Sequence, residues 1–199
     1  MEHAANQITI RGSLLELPRL SHENHGSQFF RFVLEVPRLS GAVDRLPVIA
    51  RGDVLEQMDL SGGGMITVQG QIRSYNNRSG QGQRLVIFVF AQALSTGDLP
   101  PCNDAQLSGA ICKPPVYRRT PLGREICDVM LAVPRSCRRS DYLPCILWGR
   151  TAQEIAKLSP GDTIQLTGRL QSRLYRKVTE AGQEMRTAYE VSALTAAAL

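Results

Sequence analysis

The stretch of sequence that decides the fold spans residues 141–158 and reads DYLPCILWGRTAQEIAKL. Its first half alternates with the period of two that is typical of a β-strand, which places Cys145 and Leu147 on one face. Tyr142 and Trp148 fall together on the opposite face, which we expect to point away from the core. Because strand residues rise about 3.3 Å each, the two aromatic residues should lie about 20 Å apart.

The second half of this stretch predicts a short helix. Gly149 permits a turn directly after the strand, and Thr151 is placed to cap the helix through its hydroxyl. Glu154 lies three residues further on, where a capping box needs a carboxylate that reaches back. We expect the helix to end near Leu158, before the Ser-Pro-Gly sequence that follows.

An internal repeat organises the whole chain. At an offset of 97 residues, matched positions pair Gly12 with Gly109, Gly26 with Gly123, Pro47 with Pro144, and Gly52 with Gly149. With small insertions the match continues to Gly70 with Gly168 and to Ala93 with Ala193. The repeat predicts a first domain at 1–96, a linker at 97–104 and a second domain at 105–199. Two prolines within 97–104 favour an extended connection.

Each repeat predicts five short strands with one helix between the third and the fourth. In the first repeat we expect strands at Gln7–Leu17, Gln28–Pro37, Leu46–Arg51, Met65–Tyr75 and Arg84–Leu94, and a helix near Val54–Leu60. This order of elements is typical of the OB barrel, a five-stranded Greek-key fold whose exposed sheet face binds oligonucleotides or oligosaccharides. The fold class is therefore all-β with one short helix per domain, as two tandem OB folds.

Charge is divided unequally between the repeats. The net charge is +5, and residues 1–100 sum to zero while residues 101–199 carry the whole excess. The basic half is also the half that contains the only tryptophan, Trp148. Basic residues interleaved with aromatic ones favour a polyanion such as nucleic acid as the partner.

Several classes of protein are disfavoured by the composition. No apolar stretch is long enough for a membrane helix and no leader sequence is recognisable at the start, so a cytoplasmic location is expected. The five cysteines form no Cys-x-x-Cys pair, which favours buried free thiols over disulfides or a metal site. The three histidines all precede residue 27 and no phosphate-binding loop or nucleophile motif is present, so we predict no enzyme, no metal and no cofactor.

The fourth strand of the second repeat extends the aromatic face. Alternation sends Ile164, Leu166 and Leu170 to the core and leaves Gln165, Thr167, Arg169, Gln171, Arg173 and Tyr175 outside. Arginines that contact phosphates beside aromatic rings that stack on bases are what binding of single strands without sequence preference requires.

Two segments of the second repeat, ILWGRTAQE at 146–154 and PGDTIQLTGRL at 160–170, resemble the bacterial single-stranded DNA-binding protein family. The likeness covers about 90 residues of this repeat and, more weakly, the first repeat. The resemblance implies that Trp148, Tyr142 and Tyr175 stack on DNA bases. It also implies a role in DNA replication, recombination or repair.

The first repeat departs from the family pattern. Arg45 stands at the position of Tyr142 and Arg51 at that of Trp148, while Tyr75, beside Arg73, lies two residues before the position of Tyr175. We therefore expect the first domain to be the weaker stacking site. The full set of candidate DNA-binding residues is Tyr142, Trp148, Tyr175, Arg135, Arg138, Arg139, Arg150, Arg169, Arg173, Arg45, Arg51, Arg73 and Tyr75.

The resemblance also carries expectations about partners. Members with one OB domain commonly form tetramers, so a chain with two such domains is expected to form a homodimer with four OB folds. Outward positions on the second strands carry four large apolar residues that pairing would bury: Phe29, Val33, Ile126 and Met130. Residues 192–199 contain no acidic residue, so the acidic recruitment tail of the family is not expected.

Two alternatives stay open. A tandem OB protein that resembles the primosomal replication protein could use its basic face to bind a protein partner. A role on single-stranded RNA stays open as well, because stacking and phosphate contacts do not read the 2′-hydroxyl.

Overall fold

The computed structural model describes residues 6–56, 58, 60, 64–79, 83–136, 138–179 and 182–199. Within these ranges the chain forms twelve strands and two short helices. The first half contains β1 (Asn6–Leu14), β2 (Arg19–Asn24), β3 (Ser27–Pro37), β4 (Val43–Arg51), α1 (Gly52–Leu55), β5 (Met65–Asn76) and β6 (Leu85–Thr96). The second half contains β7 (Cys102–Ile111), β8 (Val116–Arg119), β9 (Glu125–Pro134), β10 (Ser140–Trp148), α2 (Gly149–Ile155), β11 (Thr163–Thr179) and β12 (Gly182–Ala198).

The strands form two barrels that share one continuous sheet. Their order is β2-β3-β4-β6-β5-β1 in the first half and β7-β11-β12-β10-β9-β8 in the second. Additional pairings of β3 with β1 and of β7 with β9 curve each half back on itself. The prediction of two tandem OB folds is confirmed. β7 begins at Cys102, within the segment that the sequence suggested as linker, and the proposed domain limits stay a prediction.

β1 and β7 join the two barrels. They are equivalent strands of the repeat and pair antiparallel, with Ile8 opposite Ala105 at the centre. Because equivalent strands run in opposite directions across this pair, the two barrels are related by a local twofold axis. The two repeats of the sequence therefore form two barrels with approximate twofold symmetry.

Alternation along the strands builds the core. Leu34, Leu46, Leu131 and Leu147 are fully buried, and their neighbours on either side point outward. Cys145 is also buried and is a free thiol, and burial raises its pKa. No helix of the described residues is long and apolar enough to span a membrane.

A bulge in the last strand of each repeat lies opposite a glycine of the fourth strand. The ladder register shifts at Gly70 in β5 and at Gly168 in β11. A Cβ atom on either glycine would overlap the backbone of the neighbouring strand, which explains why both positions lack a side chain.

The bulge also fixes how the last strands correspond. Gly70 pairs with Ala91 and Gly168 pairs with Ala193, so Ala91 matches Ala193 at an offset of 102. The expected match of Ala93 with Ala193 is wrong by two residues. Sequence likeness between two short alanine-containing segments cannot determine the register that hydrogen bonds set.

The second helix begins earlier than expected. α2 starts at Gly149, whose φ of 55° turns the chain immediately after the strand. Its N-cap is Trp148 and no side chain caps it, so the expected cap by Thr151 is wrong. Glu154 instead accepts a hydrogen bond from Arg150 at 2.9 Å. The helix ends at Ile155, three residues before the expected end.

The first helix is also shorter than expected. α1 spans four residues from Gly52 to Leu55, with Arg51 as its N-cap and no side-chain cap bond. The helix expected at Val54–Leu60 therefore overlaps it only in part, and positions 57 and 59 of that prediction lie outside the described residues.

A reciprocal pair of ionic clamps holds the barrels together. Arg135 donates to Asp141 at 2.6 Å through Nε and to the backbone oxygen of Ser74 at 3.1 Å. Asp141, which is completely buried, accepts the Ser74 amide at 2.5 Å. The Ser74 segment belongs to the first domain and the Arg135–Asp141 pair to the second, so this contact crosses between domains.

The twofold axis repeats the clamp on the other side. Arg38 donates to Asp44 at 2.7 Å through Nε and to the backbone oxygen of Ser172 at 2.9 Å. Asp44 accepts the Ser172 amide at 2.6 Å, and its hydrogen bond raises the pKa of Arg38. Each domain thus holds the fourth strand of the other.

Candidate nucleic-acid interface

Trp148 and Tyr142 stand at opposite ends of the outward row of β10. Trp148 is 37% exposed and Tyr142 is 47% exposed, although both are large and partly apolar. The indole Nε1 of Trp148 donates a hydrogen bond to Ser192 Oγ on β12 at 3.0 Å. This bond fixes the ring by one edge while the side chain stays accessible to a stacking partner.

Ile126 does not face solvent as expected. It lies on the outward side of β9, but it is only 2% exposed. Trp148 lies directly opposite it on β10, and a cross-strand neighbour of that size shields it. Ile126 therefore needs no partner molecule for its burial.

The outward row of β11 runs beside this pair. Arg169 lies opposite Ser192 in the ladder, so Arg169, Ser192 and Trp148 follow one another across three strands. The Nε atom of Arg169 is buried and has no hydrogen-bond partner among the described residues. Gln171, which we expected outside, is only 8% exposed, and its side-chain amide donates a hydrogen bond to Glu190 on β12 at 2.9 Å.

Arg173 and Tyr175 extend the row toward the tip of the β11–β12 hairpin. The Arg173 guanidinium lies 5.8 Å from the centre of the Tyr175 ring, within the range of a cation–π contact. Its Nε is 3.9 Å from a Glu190 oxygen, at the limit of an ion pair. The arginine is more than half exposed and can still reach a phosphate.

The remaining basic candidates of the second domain differ in availability. Arg150 is 90% exposed and pairs with Glu154 on the helix surface. Arg138 and Arg139 are exposed on the turn before β10, where Arg138 adopts a φ of 56°. Arg135 lies in the interdomain clamp, where its side chain is only 22% exposed. Its present contacts hold the domains together.

In the first domain, the arginines at the positions equivalent to Tyr142 and Trp148 form ion pairs. Arg45 donates to Glu35 at 2.9 Å, and Arg51 donates to Asp53 at 2.8 Å. The Arg51 guanidinium holds the pKa of Asp53 below its usual value. Where the second domain exposes Tyr142 and Trp148, the first therefore presents arginines that already have carboxylate partners.

The first domain also has an aromatic cluster that our sequence analysis missed. Phe90 on β6 packs against Phe29 at 6.4 Å between ring centres, and His22 stacks on Phe29 at 4.8 Å. The Arg73 guanidinium lies 3.7 Å over the Phe90 ring. These rings and the arginine use one another as stacking partners.

Tyr75 lies at the edge of this domain's outer face. It is 53% exposed and meets Phe88 edge-on at 6.1 Å. Alternation along β6 could have located Phe88 and Phe90, because they alternate with the buried Ile87 and Val89. The alternation was not extended to the fifth strand of either repeat.

The frame and the outer face together define a class of protein. A pair of OB barrels with exposed aromatic rings and arginines on the sheet face is typical of proteins that bind single-stranded nucleic acid. Residues 102–198 match the family model described as "Single-strand binding protein family". The chain belongs to this family, and the resemblance found in the sequence is confirmed.

Individual relatives agree with this assignment. The chain is 35% identical over 80 residues to Single-stranded DNA-binding protein B of Bacillus subtilis (strain 168), which covers 37% of this chain and 71% of that protein. It is 36% identical over 80 residues to Single-stranded DNA-binding protein 1 of Staphylococcus aureus (strain COL), and here it spans about half (48%) of the relative's length.

A solved structure shares the fold over almost the whole chain. The wild-type single-stranded DNA binding protein from Thermus aquaticus superimposes with a TM-score of 0.76 at 21% identity, covering 98% of this chain and 92% of that one. The likeness extends over both barrels and so supports the tandem arrangement.

Proposed function

We propose that this protein binds single-stranded DNA without strong sequence preference and acts in DNA replication, recombination or repair. The observation that carries the proposal is the placement of Trp148, fixed by Ser192 through its edge and still 37% exposed beside a row of arginines. Its relatives are named as single-stranded DNA-binding proteins, and the family consists of DNA binders rather than enzymes.

Binding follows from two kinds of contact. Bases stack on Trp148, Tyr142 and Tyr175, and every base offers a ring face, so stacking does not select a sequence. Phosphates meet those candidate arginines of the second domain whose guanidinium groups are exposed, and their charge attracts the backbone and makes the affinity depend on salt. The first domain contributes less, since its candidate residues Arg45, Arg51 and Arg73 already have partners.

A salt-titrated binding comparison tests the proposal. Single-stranded DNA, duplex DNA and single-stranded RNA of equal length are titrated against the protein at several salt concentrations. We expect single-stranded DNA to bind more tightly than duplex, because paired bases cannot reach the aromatic rings. Equal affinity for duplex and single-stranded DNA would contradict the proposal. Tighter binding of RNA than of DNA would indicate that single-stranded RNA is the ligand.

We further propose that the protein forms a homodimer with four OB folds. β2 and β8 end the continuous sheet, so each is an edge strand with unpaired backbone groups. Phe29, Val33 and Met130 are only partly buried within the chain. Light scattering at micromolar concentration checks this: a mass near 21.9 kDa, rather than about twice that value, would contradict the dimer.

A further inference from the structure

The two barrels meet at two junctions that the local twofold axis relates. In the first, the Tyr142 amide donates to Ser74 Oγ at 2.8 Å. In the second, the Arg45 amide donates to Ser172 Oγ at 3.1 Å. We call the contact of Ser74–Asn76 with Asp141–Tyr142 the tyrosine junction, and the contact of Ser172–Arg173 with Asp44–Arg45 the arginine junction.

The tyrosine junction brings together one aromatic residue from each domain. Tyr142 and Tyr75 are both about half exposed, and Tyr75 directly follows the serine to which Tyr142 is bonded. From that bond and standard backbone dimensions, their Cα atoms lie within about 10 Å of each other. A few nucleotides of one strand can span this distance.

A groove opens beside the tyrosine junction. It has a volume of about 590 Å³ and is lined by Asn76, Arg84, Leu85, Cys112, Lys113, Met130 and Tyr142. Lys113 and Arg84 come from different domains, and both are exposed. Neither forms an ion pair with any residue that the structure describes. The groove thus combines an aromatic ring, apolar walls and two available positive charges.

A second cavity also borders the tyrosine junction. It measures about 220 Å³ and is lined by Ser74, Tyr75, Phe88, Arg135, Arg139 and Ser140. Arg139 from the second domain therefore approaches Tyr75 of the first. This cavity therefore combines arginines of the second domain with aromatic rings of the first.

The arginine junction has a different chemistry at the equivalent positions. Arg45 replaces Tyr142 and is bonded to Glu35 at 2.9 Å. Arg173 replaces Tyr75 and lies 3.9 Å from Glu190. Glu16, which stands where Lys113 does in the repeat, adds a carboxylate and pairs with Arg19 at 3.1 Å. Because each arginine named here has a glutamate beside it, this junction offers a phosphate backbone less uncompensated positive charge than the tyrosine junction does.

We propose that a single strand passes from the second domain to the first at the tyrosine junction and not at the arginine junction. One base stacks on Tyr142 and another on Tyr75, while Lys113 and Arg84 bind the phosphates of the crossing segment. The inference rests on the proposed function, and it adds a path for the strand and a binding site at the domain boundary.

The test compares two double variants with two lengths of DNA. Lys113→Ala/Arg84→Ala removes the two charges of the groove. Arg124→Ala/Lys157→Ala is the matched control, because it removes one arginine and one lysine that are equally exposed and unpaired among the described residues. An oligo-dT of about 8 nucleotides fits one OB fold, and one of about 30 nucleotides reaches both.

We expect the groove variant to lose affinity for the long DNA only. Two lost phosphate contacts should lower the slope of log affinity against log salt by about 1.4, since each contact contributes about 0.7 for single strands. The control variant and the short DNA should keep the wild-type slope. Circular dichroism confirms that both variants fold.

Two other results contradict the inference in distinguishable ways. If the wild type binds both DNAs but the groove variant keeps the slope of the control with the long one, the strand does not cross at the tyrosine junction, while single-strand binding stands. If the wild type binds neither DNA, the proposed function itself fails.

Discussion

The second domain carries Trp148 where the first carries Arg51, and Tyr142 where the first carries Arg45. The strands that hold these residues are equivalent and pair in the same way within each barrel. The difference therefore lies in surface chemistry and not in the frame. It teaches that two copies of one fold can keep equivalent strands while only the second presents exposed aromatic residues at these two positions.

Aromatic surface has not vanished from the first domain but has moved to another strand. Phe90 on β6 occupies the ladder position that Ser192 occupies on β12. Ser192 supports the Trp148 ring, whereas Phe90 is itself covered by Arg73. A ring that already has a guanidinium stacked on it offers less to a DNA base than one held by its edge.

The interdomain clamps, in contrast to the outer faces, are the same in both domains. Asp44 and Asp141 are both buried. Each binds an arginine of its own domain and accepts a hydrogen bond from a serine backbone amide on the fourth strand of the other domain. We therefore expect equivalent substitutions in the two clamps to change stability equally. Equivalent substitutions on the outer faces of the two domains should change DNA binding unequally.

The largest effect should come from the clamps. Asp141→Ala and Asp44→Ala each leave a partly buried arginine without its carboxylate, and loss of one partner of a buried pair costs roughly 3–5 kcal/mol. We expect the two variants to lower the free energy of unfolding by similar amounts in urea titrations. Asp128→Ala, which breaks an exposed pair with Arg118, should cost under about 1 kcal/mol. Strongly different losses of unfolding free energy in the two variants would contradict the equivalence of the two clamps.

The next largest effect concerns the tryptophan. Trp148→Ala should weaken binding of single-stranded DNA by roughly 1–3 kcal/mol, because one stacked base is lost. Arg51→Ala at the equivalent position should weaken it less, since that arginine is bonded to Asp53. Fluorescence anisotropy with labelled oligo-dT measures both variants. If Arg51→Ala proves the more damaging of two folded proteins, the first domain is the main site.

A smaller difference is expected between the hairpin tyrosines. Tyr175→Ala should cost roughly 1–3 kcal/mol of binding free energy if the ring stacks on a base. Tyr75→Ala should cost less, because this residue belongs to the weaker domain and acts only where a long strand crosses. Tyr→Phe variants at both positions keep the ring and serve as controls with affinity near wild type. The reverse order of costs would contradict the unequal faces.

The smallest effect should follow removal of a single exposed charge. Arg150→Ala should reduce the salt slope of binding by about 0.7 and change stability little, because its pair with Glu154 is exposed. Glu154→Ala is the matched control: it frees Arg150 and should not reduce the slope. An unchanged slope for Arg150→Ala would place that residue outside the binding path.

Strand alternation located much of the fold and of the outer face. It gave the correct side for Trp148 and Tyr142, since the period of two depends only on local backbone geometry. It could not reveal that Arg135 serves the clamp, because Ser74 is 61 residues away and belongs to the other domain. It also could not show that Trp148 shields Ile126, which depends on the register between strands.

The helices show a different kind of limit. The signals for capping by Thr151 pointed to the right segment, yet with the positive φ of Gly149 the helix begins three residues earlier, with Trp148 as its N-cap. A glycine that can turn the chain at once removes the need for a side-chain cap. The residue at which the helix begins depends on where the preceding strand ends, and alternation alone does not specify that end.

The fluorescence of Trp148 tests most directly whether the second domain binds single strands by stacking. Trp148 is the only tryptophan of the chain, so its emission reports on this one ring. We predict that oligo-dT quenches the emission in a saturable way and that added salt restores it. Saturable binding by anisotropy under the same conditions, with the Trp148 emission unchanged, would contradict this central claim.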